Sequence, residues 1–145
     1  MAANSRLTVA VHVLTWMALV KGRGRDVVTS DQIADSVNTN PVVIRRSLGE
    51  LRKAGLVEAL HGAGAGWRLL HEADAITLLD VYRAVETEPL FALHRAEPNQ
   101  KCPIGAGIRP ALEEVYDGAE AAVRSTLGGT SIADVLRGTL AGRAG

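Results

Sequence analysis

One segment, Thr29 to Trp67, constrains the fold of this chain more than any other. It carries signals for a short capped helix, a polar turn, a second helix and a glycine-rich hairpin, in that order. This order is typical of a winged helix-turn-helix, in which the second helix of the pair enters the major groove of DNA. The sequence therefore predicts a mainly helical fold with a small β-hairpin wing.

The ends of the two helices follow from local residue chemistry. Thr29 followed by Gln32 fits a capping box, which predicts the start of the first helix. Asn40 is a cap for the second helix, and Pro41 occupies its first position, where a missing amide proton costs little. We expect that helix to end before Gly55. The predicted helices cover about residues 30–37 and 41–54.

The second helix has one apolar and one polar face. Ile44, Leu48 and Leu51 recur at helical spacing and are predicted to face the core. Arginine on the opposite face pairs with phosphate or with the edge of guanine, and valine contacts thymine methyl groups. The predicted DNA-binding residues of this region are Thr39, Asn40, Pro41, Val42, Val43, Arg45, Arg46 and Lys53.

The hairpin is predicted as the wing, over about residues 56–70, with Gly62, Gly64 and Gly66 at its tip. Small residues leave backbone amides free to approach phosphates, so these glycines are further DNA-binding candidates. The glycines also suggest a nucleotide-phosphate loop, but their spacing does not fit G-x-G-x-x-G and no helix follows them. Trp67 is expected to close the apolar base of the wing.

Two more helices flank this segment. Ser5 can cap a first helix to about residue 20, and Asp74 is predicted to open another over about 75–86. These elements complete a winged-helix domain over residues 1–86. The remaining candidates for DNA contact are Ser5, Arg6 and Thr29.

The C-terminal part reads as a loop over 87–102 followed by dimerisation helices over 103–140. The first of these helices is long, from about 103 to 127, and Pro110 is expected to kink it or to mark its true start. Its apolar stripe exceeds what one small winged helix can cover, which favours a dimer. The stripe consists of Ile104, Ile108, Leu112, Val115, Ala119 and Ala122.

Composition argues against several other classes of protein. No apolar run reaches the roughly 18 residues needed to cross a bilayer, and no signal peptide is apparent, so we expect a cytoplasmic protein without membrane contact. The single cysteine, Cys102, excludes an internal disulfide framework. No nucleophile–base motif and no H-E-x-x-H occurs, so we expect neither an enzyme nor a metal site.

Charge is distributed unevenly along a chain whose formal net charge is zero. Residues 1–71 hold nine Lys or Arg and five Asp or Glu, a net charge of +4. Residues 72–145 hold seven and eleven, a net charge of −4. The asymmetry favours contact between the first half alone and a polyanion.

Together these motifs resemble the Rrf2, or Rrf-two, family of bacterial winged-helix regulators, whose members include IscR, NsrR and CymR. The similarity extends over most of the chain, and the YwnA-like branch, which lacks the three cluster cysteines, is the most similar. That branch shares Phe91-Ala92, His94 and the Cys-Pro pair. The matching stretches are Ser5–His12, Ile33–Arg46, Leu51–Val57, the glycine-rich turn before Trp67, Thr77–Val85 and Cys102–Gly105.

The resemblance implies a homodimer in which the long helix packs against its partner's copy. Two recognition helices then read a two-fold-related operator in double-stranded DNA. It also implies a transcriptional regulator, in most members a repressor. Cluster-binding members hold a [2Fe–2S] centre with three cysteines, whereas this chain has Cys102 alone, so we expect no cofactor.

Cys102 precedes a predicted helix start, where the helix dipole and Lys101 both favour the thiolate. It is therefore a candidate oxidant sensor, and His94 in the same loop is a candidate neighbour or effector ligand. An inert packed cysteine and a solvated histidine are the alternatives. Two other functions stay open: a winged-helix module that binds protein, and a small-molecule-binding protein that uses the loop at 87–101.

Overall fold

The computed structural model describes residues 5–144 as six α-helices and one β-hairpin, which confirms the predicted fold class. The described residues form two compact units, of which one is Glu88–Thr126 and the other contains the described residues before and after it. A 3₁₀ turn covers Ala73–Ala75. The elements are α1 (Arg6–Gly22), α2 (Ser30–Val37), α3 (Pro41–Lys53), β1 (Val57–Leu60), β2 (Gly66–Leu69), α4 (Leu78–Val85), α5 (Pro103–Gly128) and α6 (Ile132–Ala144).

The predicted caps of α2 and α3 are both present. The Thr29 hydroxyl accepts a hydrogen bond from the Gln32 amide at 3.2 Å, and Gln32 Oε1 accepts one from the Thr29 amide at 3.0 Å. Asn40 Oδ1 accepts a hydrogen bond from the Val43 amide at 3.1 Å. These bonds satisfy amides that have no partner inside the helix, so they fix where α2 and α3 begin.

The core of the first unit lies between α1 and the elements that pack around it. Ile44, Leu48 and Leu51 of α3 are fully buried, as the helical spacing predicted. Full burial of each such side chain stabilises the fold by about 1.5–3 kcal/mol. The buried side chains of α1 that face this core are Ala10, Val13, Leu14 and Met17.

The wing is a two-stranded antiparallel hairpin in which Ala59 pairs with Trp67. Val28 adds a bridge on the other side of Trp67, through hydrogen bonds of 2.9 and 2.7 Å. Trp67 is half-buried against the core and closes the base of the wing, as predicted. Gly66 differs from the prediction, since it is the first residue of β2 and pairs with Leu60 instead of lying at the tip.

The helix predicted over 75–86 starts later than the sequence suggested. Ile76 is buried and extended, and a second capping box sets the start of α4. Thr77 Oγ1 accepts a hydrogen bond from the Asp80 amide at 3.1 Å, and Asp80 Oδ2 accepts one from the Thr77 amide at 2.9 Å. Asp74 falls in the 3₁₀ turn, because this reciprocal cap outcompetes a helix start there.

The C-terminal helices also differ in part from the prediction. Helix α5 runs without a break through Pro110, so this proline does not mark its start. Helix α6 packs on α1, and Ile132 at its start is fully buried. The structure therefore groups α6 with the winged helix, whereas the sequence grouped it with the long helix. Among the described residues, no helix combines the length and the apolar character that crossing a membrane requires.

We expect Gly66→Ala to lower the free energy of unfolding by about 1–3 kcal/mol, because overpacking strains a closely packed site. The new methyl group would lie 2.6 Å from the Val28 carbonyl oxygen. Urea denaturation measures the change. Gly138→Ala in α6 is the matched control, since nothing lies within 4 Å of its new Cβ. A Gly66→Ala protein as stable as the wild type would contradict this close approach.

Candidate functional site

Helix α3 presents an exposed surface made of the residues that the sequence singled out. Val42 and Val43 in its first turn keep 59% and 40% of their surface exposed, and Arg45 and Arg46 beside them are exposed. Two large apolar side chains at the exposed start of an otherwise charged helix indicate a binding surface. The site therefore combines apolar contact with two cationic groups.

The cap of α3 limits what Asn40 can do. Its side-chain oxygen is already used by the Val43 amide, which leaves its NH₂ group to donate to an outside acceptor. Thr39 is half-buried, and its amide donates to the Ala34 carbonyl at 3.2 Å. Pro41 is the first residue of α3, as predicted. The amide dipoles of this helix start favour an anion in front of it.

The start of α1 lies beside this surface. Arg6 Nη2 contacts Glu50 Oε1 at 2.8 Å, an ion pair between α1 and α3. Ser5, Arg6 and Arg46 border one shallow groove, so the structure brings together these three predicted residues. Ser5 precedes α1, but its side chain makes no capping hydrogen bond, contrary to the prediction. Its hydroxyl is therefore not committed to the helix start.

Ser47 lines the same groove and was missed by the sequence reasoning. Its hydroxyl is buried and has no hydrogen-bond partner among the described residues. A buried hydroxyl without a partner is costly, so Ser47 is a polar group that a bound molecule can satisfy. The one signal in the sequence is that a polar residue stands between Ile44 and Leu48, on the side of α3 that packs inward.

The wing tip presents backbone and little charge. Gly62 and Gly64 adopt φ values of 79° and 78°, a conformation that favours glycine, and both are exposed. The Ala65 amide donates to the Gly62 carbonyl at 3.1 Å and closes the turn. Behind the tip, Arg68 pairs with Glu58 and lies 3.8 Å from Asp26. The tip can therefore approach a phosphate through its amides, while Arg68 is held by acidic partners.

Two of the predicted residues lie apart from the start of α3. Lys53 is the last residue of α3, about 16 Å along the axis from Val42 at the rise of an α-helix. Gly66 lies in β2 against Val28. The backbone that it approaches closely is therefore that of the protein itself and not that of DNA. Thr29 uses its hydroxyl oxygen as an acceptor in the capping box and keeps its O–H as a donor.

Within the second unit, Cys102 lies directly before α5, and its carbonyl accepts the Ala106 amide at 2.8 Å. The amides of Gly105 and Ile104 lower the pKa of the Cys102 thiol, and partial burial opposes this shift. The lowering thus comes from the helix start, as predicted, and Lys101 is not among its causes. The thiolate is favoured relative to an ordinary cysteine.

The loop before Cys102 is held by Arg109, a residue that the sequence reasoning missed. Arg109 Nη2 donates to the carbonyls of His94 and Ala96 at 2.8 and 2.9 Å. Phe91 stacks on Tyr116 with ring centroids 4.6 Å apart. The His94 ring is exposed, and no hydrogen bond in residues 5–144 joins it to Cys102. The structure thus orders the backbone at His94 without bringing its imidazole to the thiol.

Helix α5 carries the predicted apolar stripe on an unusually open surface. None of its 26 residues is buried. Ile104 and Val115 keep 70% and 63% of their surface exposed. Ile108, Leu112 and Ala119 are half-buried, and Ala122 is exposed. An apolar stripe on a helix this long is typical of a surface that another chain covers.

Comparison with known proteins places this geometry in context. A model of the Rrf2 family, described as an iron-dependent transcriptional regulator, matches residues 3–138. The chain is 42% identical over 134 residues to YwnA of Bacillus subtilis, named as an HTH-type transcriptional regulator, over 92% of this chain and 96% of YwnA. The HTH-type transcriptional regulator CymR of the same species is 34% identical over 101 residues, 68% of this chain and 72% of CymR. The solved structure of CymR, the global cysteine regulator of B. subtilis, gives a TM-score of 0.65 over 94% of this chain and 97% of CymR, at 26% identity. These relatives are named as transcriptional regulators, and none is named as an enzyme.

An iron site does not fit the donor groups of this chain. A [2Fe–2S] centre is held by cysteine thiolates, and Cys102 is the single cysteine. Within the described residues, no group of three or more His, Cys, Asp or Glu lies close enough to hold a metal ion. The absence of a cofactor stays a prediction.

We expect alkylation of Cys102 by iodoacetamide to have its pH midpoint below that of N-acetylcysteine in the same buffer. Since the amides at the start of α5 lower the thiol pKa, the reactive thiolate persists to lower pH than in an ordinary cysteine. The chain has one cysteine, so mass spectrometry follows this group alone. A midpoint equal to or above that of N-acetylcysteine would contradict the assignment.

Proposed function

Since the chain belongs to the Rrf2 family of transcriptional regulators, we propose that it represses transcription as a homodimer on a two-fold-related operator. One observation carries the proposal: the exposed start of α3, with two valines and two arginines, on a helix whose other face is fully buried. Repression is the mode that the family resemblance implies.

We assign the reading of DNA to α3 and the adjoining elements. Arg45 and Arg46 each pair with a phosphate or with the O6 and N7 atoms of guanine, and Val42 and Val43 contact thymine methyl groups. The helix start at Asn40, the residues Ser5 and Arg6, and the wing contact phosphates. The net charge of +4 over residues 1–71 supports contact between this part of the chain and the DNA phosphates.

We assign dimerisation to α5. Its stripe repeats at intervals of three and four residues, which puts these side chains on one face of the helix. Pairing two such faces antiparallel would bury Ile104 and Val115, which are exposed in one copy. It would also place two copies of α3 in one molecule, and a two-fold-related operator matches that symmetry.

We further propose that Cys102 makes the regulator responsive to oxidants. A thiolate attacks one oxygen of a hydroperoxide, the O–O bond breaks, and hydroxide or alkoxide leaves and takes up a proton. The sulfur is oxidised to sulfenic acid and the peroxide is reduced. The new oxygen would be added at the start of α5, the helix assigned to the dimer. An effector bound near His94 is the alternative signal at this loop.

We expect Arg46→Ala to weaken operator binding by about 1–3 kcal/mol, because a guanidinium contact with a base or phosphate is lost. The measurement is fluorescence anisotropy on a fragment selected by the protein from random DNA, over a range of salt concentrations. Arg83→Ala is the matched control, since Arg83 is an exposed arginine of α4 outside the site. Binding that Arg46→Ala leaves unchanged would overturn the assignment, and binding that does not fall with salt would favour a protein-binding module.

We expect Val115→Asp to convert the dimer into monomers, because it puts a carboxylate into the apolar contact between two α5 helices. Val115 is 63% exposed in one copy, so its replacement leaves the fold of the single chain intact. Sedimentation velocity measures the state of assembly. The control is Ala121→Asp, which adds the same charge to α5 away from the stripe. A Val115→Asp dimer as stable as the wild type would remove α5 from the interface.

A further inference from the structure

A cavity of about 370 Å³ opens in the winged-helix unit between α1 and α6, with α2 at its edge. Trp16 of α1 and Leu136 of α6 belong to its apolar walls. A volume of a few hundred Å³ with mainly apolar walls is typical of sites for small molecules. No residue assigned above to DNA, to the dimer or to Cys102 lines this cavity.

Two threonines of the cavity contribute little polarity to it. Thr15 Oγ1 donates to the Val11 carbonyl at 2.7 Å, and Thr139 Oγ1 donates to the Val135 carbonyl at 2.8 Å. Each hydroxyl proton is therefore used within its own helix. The walls between α1 and α6 thus suit a hydrocarbon group.

The polar end of the cavity is a pair of side chains from different helices. His12 Nε2 of α1 lies 3.0 Å from Ser36 Oγ of α2, and both residues line the cavity. Among the described residues that line the cavity, His12 is the one ionisable side chain. No acidic side chain among the described lining residues competes for the imidazole N–H or the Ser36 O–H, so a ligand group that accepts two hydrogen bonds, such as a carboxylate, complements this pair.

We propose that this cavity binds a small hydrophobic carboxylic acid as an effector. The carboxylate accepts hydrogen bonds from His12 and Ser36, and the hydrocarbon part lies between α1 and α6. Ser36 belongs to α2, the first helix of the helix-turn-helix, so the ligand joins three helices around the DNA-reading element. The regulatory part of this inference rests on the proposed function, whereas binding of the acid does not.

Titration of the chain with octanoate, in the absence of DNA, tests the site directly. Trp16 lines the cavity and Trp67 is the only other tryptophan, so Trp67→Phe makes Trp16 fluorescence a local reporter. We expect saturable binding of one octanoate per protomer by calorimetry and fluorescence. 1-Octanol has the same chain length and no charge. We expect its affinity to be at least about tenfold lower than that of octanoate. Equal affinity for the two would overturn the choice of a carboxylate.

Variants locate the binding. We expect His12→Gln and Ser36→Ala each to weaken octanoate binding about tenfold, and Thr139→Phe to abolish it by filling the cavity. His71→Gln is the matched control, because its ring contacts the Gly55 carbonyl at 3.0 Å outside the cavity. Octanoate binding that survives Thr139→Phe would overturn the site. A third outcome is that octanoate does not bind and that Thr139→Phe dissociates a dimer. That outcome would overturn the ligand site and assign the cavity to a second copy of the chain.

Anisotropy with the selected operator separates this inference from the proposed function. We expect saturating octanoate to change operator affinity by about fivefold or more, and to have no effect in His12→Gln. Octanoate binding without DNA binding would contradict the proposed function and support the octanoate site. DNA binding without octanoate binding would support the proposed function and contradict the octanoate site. Binding of both with no mutual effect would overturn the regulatory role.

Discussion

The winged-helix unit depends on one buried helix face, that of α1. Helices α2, α3, α4 and α6 and strand β2 all contact α1, so each is positioned against the same support. The exposed start of α3 is useful only because Ile44, Leu48 and Leu51 beneath it are anchored in that core. The same arrangement leaves the outer side of α1 to form a cavity with α6. The surface that we propose to read DNA and a cavity large enough for a small ligand therefore share one structural element, α1.

Local chemistry explains what the sequence could predict. The Thr29 capping box, the Asn40 cap and Gly55, with φ of 78°, set the ends of α2 and α3. Each signal acts within a few residues, so no knowledge of the fold is needed to read it. The exposed valines and arginines of α3 followed from the helical period once Asn40 fixed where the helix begins.

Features that depend on distant contacts were not predictable in this way. The start of α4 at Thr77 is reinforced by a bridge to Ser131, more than fifty residues away. Gly66 is required by the approach of Val28, which no local pattern reveals. The pairing of His12 with Ser36 likewise appears only when α2 packs on α1. Long-range packing thus decided the grouping of α6 and created the cavity.

We propose that two copies of the α3 surface bind one operator together. The test is hydroxyl-radical footprinting of the wild-type protein on a DNA fragment selected from a random pool. We expect two protected half-sites related by a two-fold axis, with centres about one helical turn of DNA, or a whole multiple of it, apart. A single protected half-site, or protection without two-fold symmetry at saturating protein, would contradict it.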